Sequence, residues 1–223
     1  MDKKIILDNY KRKGMYLRFL NETQNTICVS GEFDITKIFK YSKKGYKLNS
    51  ILLYCIQQAA NQIEDFHYKI KNNELFYSEN ILTCSVAKGK DGLLYYITYP
   101  YQKDYLDFQK KYKEINDSAY NNCKHYWIDE GAKLSTSAMI GFPFLSISSD
   151  VQSDYSNHYL LWGSYKKSFF KVKLNISFKF HHSLLDGEMA VDFFNKLQDE
   201  FDNFKCKTKN IWYKNLIIYT CFW

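Results

Sequence analysis

The chain has 223 residues, of which 46% are apolar and 18% aromatic, so it is not an intrinsically disordered protein and is long enough for one packed domain. Its formal charge is +7, which by itself would suit a nucleic-acid partner. The lysines are spread along the sequence and stand beside acids, as in residues 107–114, so we expect a solvated basic surface and no nucleic-acid partner.

The first half of the chain predicts strands and two helices. A strand is expected over residues 26–35, with a turn or bulge near Gly31. Apolar residues recur at helical spacing over residues 50–66, behind a possible cap at Asn49 or Ser50, which predicts a helix. Short extended runs follow at residues 75–77, 83–86 and 93–99. Residues 105–116 interleave charged and apolar side chains at helical spacing and predict a second helix.

The second half contains the clearest pattern. Residues 134–148 indicate strand and loop around Pro143, and apolar and polar side chains then alternate over residues 170–182, which predicts a long strand. From Asp186 onward the period becomes helical, and Asp186 is a plausible helix N-cap. Strands mixed with few helices predict an α+β protein.

Targeting and metal signals are absent from the sequence. The six cysteines are far apart and form no CxxC pair, so zinc-ligand spacing is missing and no metal site is expected. Residues 1–8 contain too short an apolar run for a signal peptide, and no segment reaches roughly 18 apolar residues for a membrane span. We therefore expect a cytoplasmic protein with reduced thiols and no membrane partner.

A histidine stands where the long predicted strand turns into a helix. Strand parity places His182 with the apolar residues on the buried face, and His181 with the lysines. A partly desolvated imidazole suits a general base, because histidine titrates near neutral pH. The alternative is a core histidine bonded to a backbone carbonyl, with Asp186 as a simple helix cap.

The segment His-His-x-x-x-Asp-Gly at residues 181–187, after a long alternating strand, resembles the signature of the chloramphenicol acetyltransferase family. Similar stretches follow the family's order over roughly residues 5–202. They lie at residues 9–13, 33–36, 59–62, 73–75, 143–149, 162–165 and 194–198. The resemblance implies the family's two-layer sandwich, in which a mixed β-sheet packs against helices. It implies a single acyltransferase domain over residues 1–204, followed by an aromatic-rich extension, 205–223, of unknown role.

The same resemblance implies a chemistry for four residues. His182 would be the general base on the acceptor hydroxyl, and Ser149 would stabilise the oxyanion, with Ser148 as the alternative if the register differs by one residue. Asp186 and Arg12 would form a buried ion pair that supports the active-site loop. Acetyl-CoA would be a co-substrate, with no permanently bound cofactor, and chloramphenicol the acceptor in a ternary complex. The protein would be a homotrimer with active sites between subunits and would confer antibiotic resistance.

Several positions depart from the family pattern, and two of them, Leu94 and Tyr96, stand in the region expected to line the acceptor pocket. Leu161 stands where many members carry a hydroxyl residue, and Leu94 and Tyr96 replace a Phe and a small residue. Because a pocket change of a few kcal/mol abolishes use of one alcohol, two alternatives stay open. One is an acyl-CoA-dependent O-acyltransferase with another acceptor, and the other is a catalytically inactive structural or binding trimer.

Overall fold

The computed structural model of the protein describes residues 2–20, 22, 25–148 and 158–206. Two short 3₁₀ turns, at Leu7–Asn9 and Glu64–His67, accompany the regular elements. The strands are β1 (Lys3–Lys4), β2 (Thr26–Asp34), β3 (Tyr68–Lys71), β4 (Glu74–Tyr77), β5 (Ile81–Lys88), β6 (Leu94–Tyr99), β7 (Ala132–Ala138), β8 (His158–Trp162), β9 (Lys166–Lys167) and β10 (Val172–His181). The helices are α1 (Lys13–Leu20), α2 (Thr36–Ser42), α3 (Leu48–Asn61), α4 (Tyr105–Asn122) and α5 (Gly187–Asn203).

The main sheet is mixed. Its strands run in the order β2-β10-β8-β7-β5-β6, and β9 pairs with the start of β10. The β5–β7 and β7–β8 pairs are parallel and the other pairs antiparallel. A smaller antiparallel sheet has the order β1-β4-β3. The predicted α+β class, with a mixed sheet packed against helices, is confirmed.

The strand β10 forms the middle of the region that carries the site. It pairs with β2 over nine residues and with β8 on its other edge, and its apolar side chains face the helices. The expected turn or bulge near Gly31 is wrong, since Gly31 pairs in register with Ile176. The lack of a side chain instead leaves room for α5, because a Cβ at this position would lie 3.0 Å from the ring of Phe194, which is a tight contact.

The helices α3 and α5 cover one face of the main sheet. The helix α5 and the 3₁₀ turn at Glu64–His67 meet β10 in an aromatic cluster in which Phe66, Phe178 and Phe193 are almost fully buried, with ring centroids 4.9–5.7 Å apart. The predicted N-cap of α5 is confirmed, because the Asp186 carboxylate accepts hydrogen bonds from Glu188 N and Met189 N. The predicted cap of α3 is wrong: this helix starts at Leu48 behind Lys47, which makes no side-chain cap.

Other bounds differ from prediction for local reasons. The helix α4 continues six residues beyond 116 and ends at Cys123, whose φ of 50° is left-handed. The helices α1 and α2 were not predicted, because at 8 and 7 residues they are too short for a clear helical period. No helix in the described part of the chain could span a bilayer. Most of the expected extension, from residue 207 onward, lies outside the described residues, so the division at residue 204 stays a prediction.

Candidate active site

The turn that joins β10 to α5 holds the two histidines. Leu184 N and Leu185 N both donate to His181 O, at 3.0 and 3.1 Å, and His182 N donates to Asn25 O at 2.7 Å. These bonds tie the turn to the residue that precedes β2. The backbone around His182 is therefore fixed from both sides.

The imidazole of His182 has one committed nitrogen and one available nitrogen. Its Nδ1 lies 3.0 Å from Leu185 O, and since a carbonyl only accepts, Nδ1 carries the proton in the neutral ring. The ring packs on Phe19 with centroids 4.1 Å apart. Within the described residues Nε2 has no hydrogen-bond partner, and the side chain is partly exposed. The lone pair on Nε2 can thus accept a proton from a bound hydroxyl.

The more deeply buried histidine is His181 and not His182, so the prediction from strand parity is wrong. The strand β10 ends at His181, which is only 5% exposed, and the turn then rotates His182 toward solvent. His181 Nδ1 accepts a hydrogen bond from Ser183 N at 3.2 Å, a structural contact. The alternation that defines β10 stops one residue before the candidate base, so parity cannot be extended to it.

The structure brings Arg12 to this turn. Its side chain is 9% exposed, and Nη1 donates to Leu184 O at 2.9 Å and touches the Met189 sulfur. Nη2 lies 3.3 Å from Asp186 Oδ2. The two residues expected to form an ion pair are therefore in contact. The Asp186 carboxylate both contacts Arg12 and caps the N-terminus of α5. Its role in supporting the site stays a prediction.

Sequence reasoning missed a second carboxylate beside Arg12. Asp65 lies in the 3₁₀ turn at Glu64–His67, with Oδ1 3.9 Å from Arg12 Nη1. Its side chain is 8% exposed, and burial raises the pKa of this carboxyl, although Lys11 and Arg12 partly offset the effect. An acidic residue after a helix is normally read as solvated, so no pattern in the sequence marks Asp65.

The serine-rich loop approaches β10 from the outer face of the sheet. Ile147 N donates to Ser177 Oγ at 2.8 Å, which fixes the loop beside the middle of the strand. Ser148 is exposed and contacts the Cys28 thiol; burial raises the pKa of that thiol, and Lys179 and Ser148 partly counter the rise. Ser149 lies outside the described residues, so the choice between the two serines stays open.

No group of His, Cys, Asp and Glu in the described ranges could hold a metal ion. None of the five cysteines within those ranges forms a disulfide.

Behind the turn, His158 is fully buried between Phe66 and Phe178, and neither ring nitrogen has a hydrogen-bond partner among the described residues. Burial, with a smaller contribution from the neighbouring His181, lowers its pKa to about 3. Burial also lowers the pKa of His181 to about 4, with His182 adding to the shift. Both rings are therefore neutral in the folded protein at physiological pH.

These two histidines should make the fold sensitive to acid. Their folded pKa values lie below the unfolded value of about 6.5. The contribution of the two neutral rings to the free energy of unfolding is therefore fully present above pH 6.5 and is lost as the pH falls toward 4 and 3. Each buried ring should lower the free energy of unfolding by up to about 1.4 kcal/mol per pH unit in that window. Urea titrations at pH 7.5, 6 and 5 measure the slope.

The matched variant for that experiment is His158→Leu, which removes one titrating ring and keeps an apolar side chain of similar size. Its slope between pH 6.5 and 5 should be smaller than that of the native protein. Equal slopes in the two proteins would contradict the assignment of acid sensitivity to His158.

Comparison of the chain with known proteins identifies one protein family. The family model described as chloramphenicol acetyltransferase matches residues 2–198. The chain belongs to the chloramphenicol acetyltransferase family. Chloramphenicol acetyltransferase 2 of Escherichia coli is 22% identical over 208 residues, 90% of this chain and 97% of that protein. A chloramphenicol acetyltransferase of Staphylococcus aureus is 25% identical over 206 residues, 89% and 95% of the two chains.

Solved structures agree on the fold. A chloramphenicol acetyltransferase structure matches with a TM-score of 0.77 at 22% identity, covering 89% of this chain and 99% of that one. A probable dihydrolipoamide acetyltransferase from Listeria monocytogenes matches with a TM-score of 0.66 at 15% identity, over 85% and 88%. The family match, together with these folds, makes the chain an acyltransferase of the chloramphenicol acetyltransferase type.

Two of the positions that depart from the chloramphenicol acetyltransferase pattern lie on the open face of β6. Leu94 and Tyr96 are 64% and 61% exposed. The Tyr96 ring stacks on His125 with centroids 5.5 Å apart, and Tyr96 N donates to His125 Nδ1 at 2.9 Å. The third, Leu161, is 2% exposed in β8.

Proposed function

We propose that this protein transfers the acetyl group of acetyl-CoA to a hydroxyl of chloramphenicol, and thereby confers resistance to that antibiotic. The observation that carries the proposal is the hydrogen bonding of the two ring nitrogens of His182, in a chain of this family. Its Nδ1 is held by Leu185 O and its Nε2 is available, which is the arrangement that a general base requires.

In the proposed reaction His182 Nε2 accepts the proton of the acceptor hydroxyl as the hydroxyl oxygen attacks the thioester carbonyl. A tetrahedral intermediate forms, and the Ser149 hydroxyl donates a hydrogen bond to its oxyanion. The intermediate collapses, the C–S bond breaks, and the leaving sulfur takes the proton back from His182. No acyl-enzyme is formed, so both substrates are bound together in a ternary complex.

Acetyl-CoA enters this scheme as a co-substrate and not as a bound cofactor. We also propose a homotrimer in which His182 faces a pocket of the neighbouring subunit. The partly exposed His182 ring and the exposed Leu94 and Tyr96 support this arrangement. In a trimer the ring of one subunit would face the surface that carries Leu94 and Tyr96 in its neighbour.

A second acceptor is favoured by one observation. Tyr96 presents a stacked phenol ring, 61% exposed, at a position where relatives of this type carry a small residue. A bulky ring there narrows the pocket that resemblance places on this face. If chloramphenicol is excluded by that ring, a smaller or more polar alcohol is the acceptor and the mechanism is unchanged.

The decisive experiment measures release of the CoA thiol from acetyl-CoA, with chloramphenicol and a panel of other alcohols as acceptors. We expect turnover of chloramphenicol and a product that carries one acetyl ester by mass spectrometry. Turnover of other alcohols alone would establish the second acceptor. Failure with every acceptor, by a correctly folded protein, would favour a structural or binding trimer.

A further inference from the structure

Arg12 is the buried cation that supports the turn around His182, and one carboxylate does not satisfy it. Asp186 Oδ2 lies 3.3 Å from Nη2, yet Nη2 has no aligned hydrogen bond to any described residue. Asp186 is 35% exposed on its side chain, and its Oδ1 is already used by the backbone of α5. Burial of a guanidinium requires close compensation of its charge.

Asp65 lies on the other side of the same guanidinium. Its side chain is 8% exposed, against 35% for Asp186, so its charge is screened less by solvent. Oδ1 is 3.9 Å from Arg12 Nη1 and has no hydrogen bond of its own within the described residues. Oδ2 is 3.6 Å from Lys11 Nζ, but Lys11 is 55% exposed and hydrogen-bonds Glu64 at 3.2 Å. Arg12 is therefore the buried partner of Asp65.

A short chain of contacts leads from Asp65 to the catalytic ring. Asp65 faces Arg12 Nη1, and that same nitrogen donates to Leu184 O at 2.9 Å. The next carbonyl, Leu185 O, accepts from His182 Nδ1 at 3.0 Å. Arg12 thus holds the carbonyl next to Leu185 O, and Leu185 O is the acceptor that selects the tautomer of His182.

We propose that Asp65 is a positioning residue for the acyl transfer: with Asp186 it clamps Arg12 between two carboxylates and so holds the Leu184–Leu185 carbonyls that orient His182. The kinetic part of this proposal rests on the proposed function. A merely structural role would lower the stability of the fold and leave the turnover of folded molecules unchanged.

The test compares the native protein with Asp65→Asn, Asp65→Glu and Glu64→Gln. The last is the matched control, since it removes a carboxylate one residue away that is 58% exposed and does not contact Arg12. Steady-state kinetics with acetyl-CoA and chloramphenicol are normalised to the folded fraction from near-UV circular dichroism.

We expect Asp65→Asn to lower kcat by about tenfold, because small displacements of a catalytic group are costly, with both KM values changed by less than about twofold. Asp65→Glu keeps the charge and should give a kcat between those of the native protein and the Asn variant. Glu64→Gln should retain the native kcat. Equal kcat values for Asp65→Asn and Glu64→Gln would overturn the proposal. If the Asn variant does not fold, a native kcat in Asp65→Glu would do the same.

A readout that needs no acceptor separates this proposal from the proposed function. Long-range ¹H–¹⁵N spectra report which imidazole nitrogen carries the proton, and the signals of His182 are assigned by their loss in His182→Gln. In the native protein Nδ1 should be protonated. Asp65→Asn should shift His182 toward a mixture of tautomers and Glu64→Gln should not. Unchanged His182 signals in Asp65→Asn would overturn the positioning role even if chloramphenicol proves not to be the acceptor.

Discussion

His182→Gln should lower kcat for acetyl transfer by about 10³-fold, within the range that general bases contribute. Glutamine fills a similar volume but cannot accept and return a proton. The ring lies at the surface of the turn, and the bond from His182 N to Asn25 O is a main-chain bond that the substitution keeps. Only the ring contact from Nδ1 to Leu185 O is lost, so the fold should survive. The measurement is thiol release under saturating acetyl-CoA, with the folded fraction checked by circular dichroism.

His181→Gln is the matched control for that experiment. His181 is 5% exposed and contacts Ser183 N, so its replacement should lower the free energy of unfolding. The kcat of the molecules that remain folded should stay within about threefold of the native value. The opposite pattern is a large loss of kcat in His181→Gln and near-native kcat in His182→Gln. It would show that His182 is not the base and would contradict the mechanism proposed for this site.

The regular parts of the fold could be predicted from local pattern. Period-two alternation identified β10, and the change to helical period after Asp186 identified α5, because a strand and an amphipathic helix each repeat a simple rule over ten or more residues. The elements that were missed are short or have their periodicity interrupted. The bulge expected at Gly31 was wrong. This glycine packs against Phe194 of α5, a contact between distant parts of the chain that no local sequence pattern shows.

The site shows the same division between local and long-range information. The approach of Arg12 to Asp186, 174 positions apart in the sequence, was predictable only through family resemblance, since neither residue is unusual by itself. Asp65 and His158 were not predicted at all. Each is a polar side chain that the sequence presents as ordinary and that becomes informative only when tertiary packing buries it without an aligned partner.

Ser149→Ala should lower kcat by about 10²-fold, the usual cost of removing one oxyanion donor. The oxyanion exists only in the transition state and the intermediate, so KM for acetyl-CoA and for the acceptor should change little. The assignment of Ser149 rests on resemblance, and its neighbour offers the sharpest control. Steady-state kinetics on both alanine variants decide the register.

Ser148→Ala removes a hydroxyl of the same kind one residue earlier. The Ser148 side chain is exposed, and its hydroxyl is engaged by the Cys28 thiol on β2. Its removal should therefore leave kcat within about twofold of the native value. If Ser148→Ala shows the hundredfold loss and Ser149→Ala does not, the oxyanion donor is Ser148. If neither variant loses activity, the oxyanion is stabilised by another group, and general-base catalysis by His182 would operate without a serine hydroxyl.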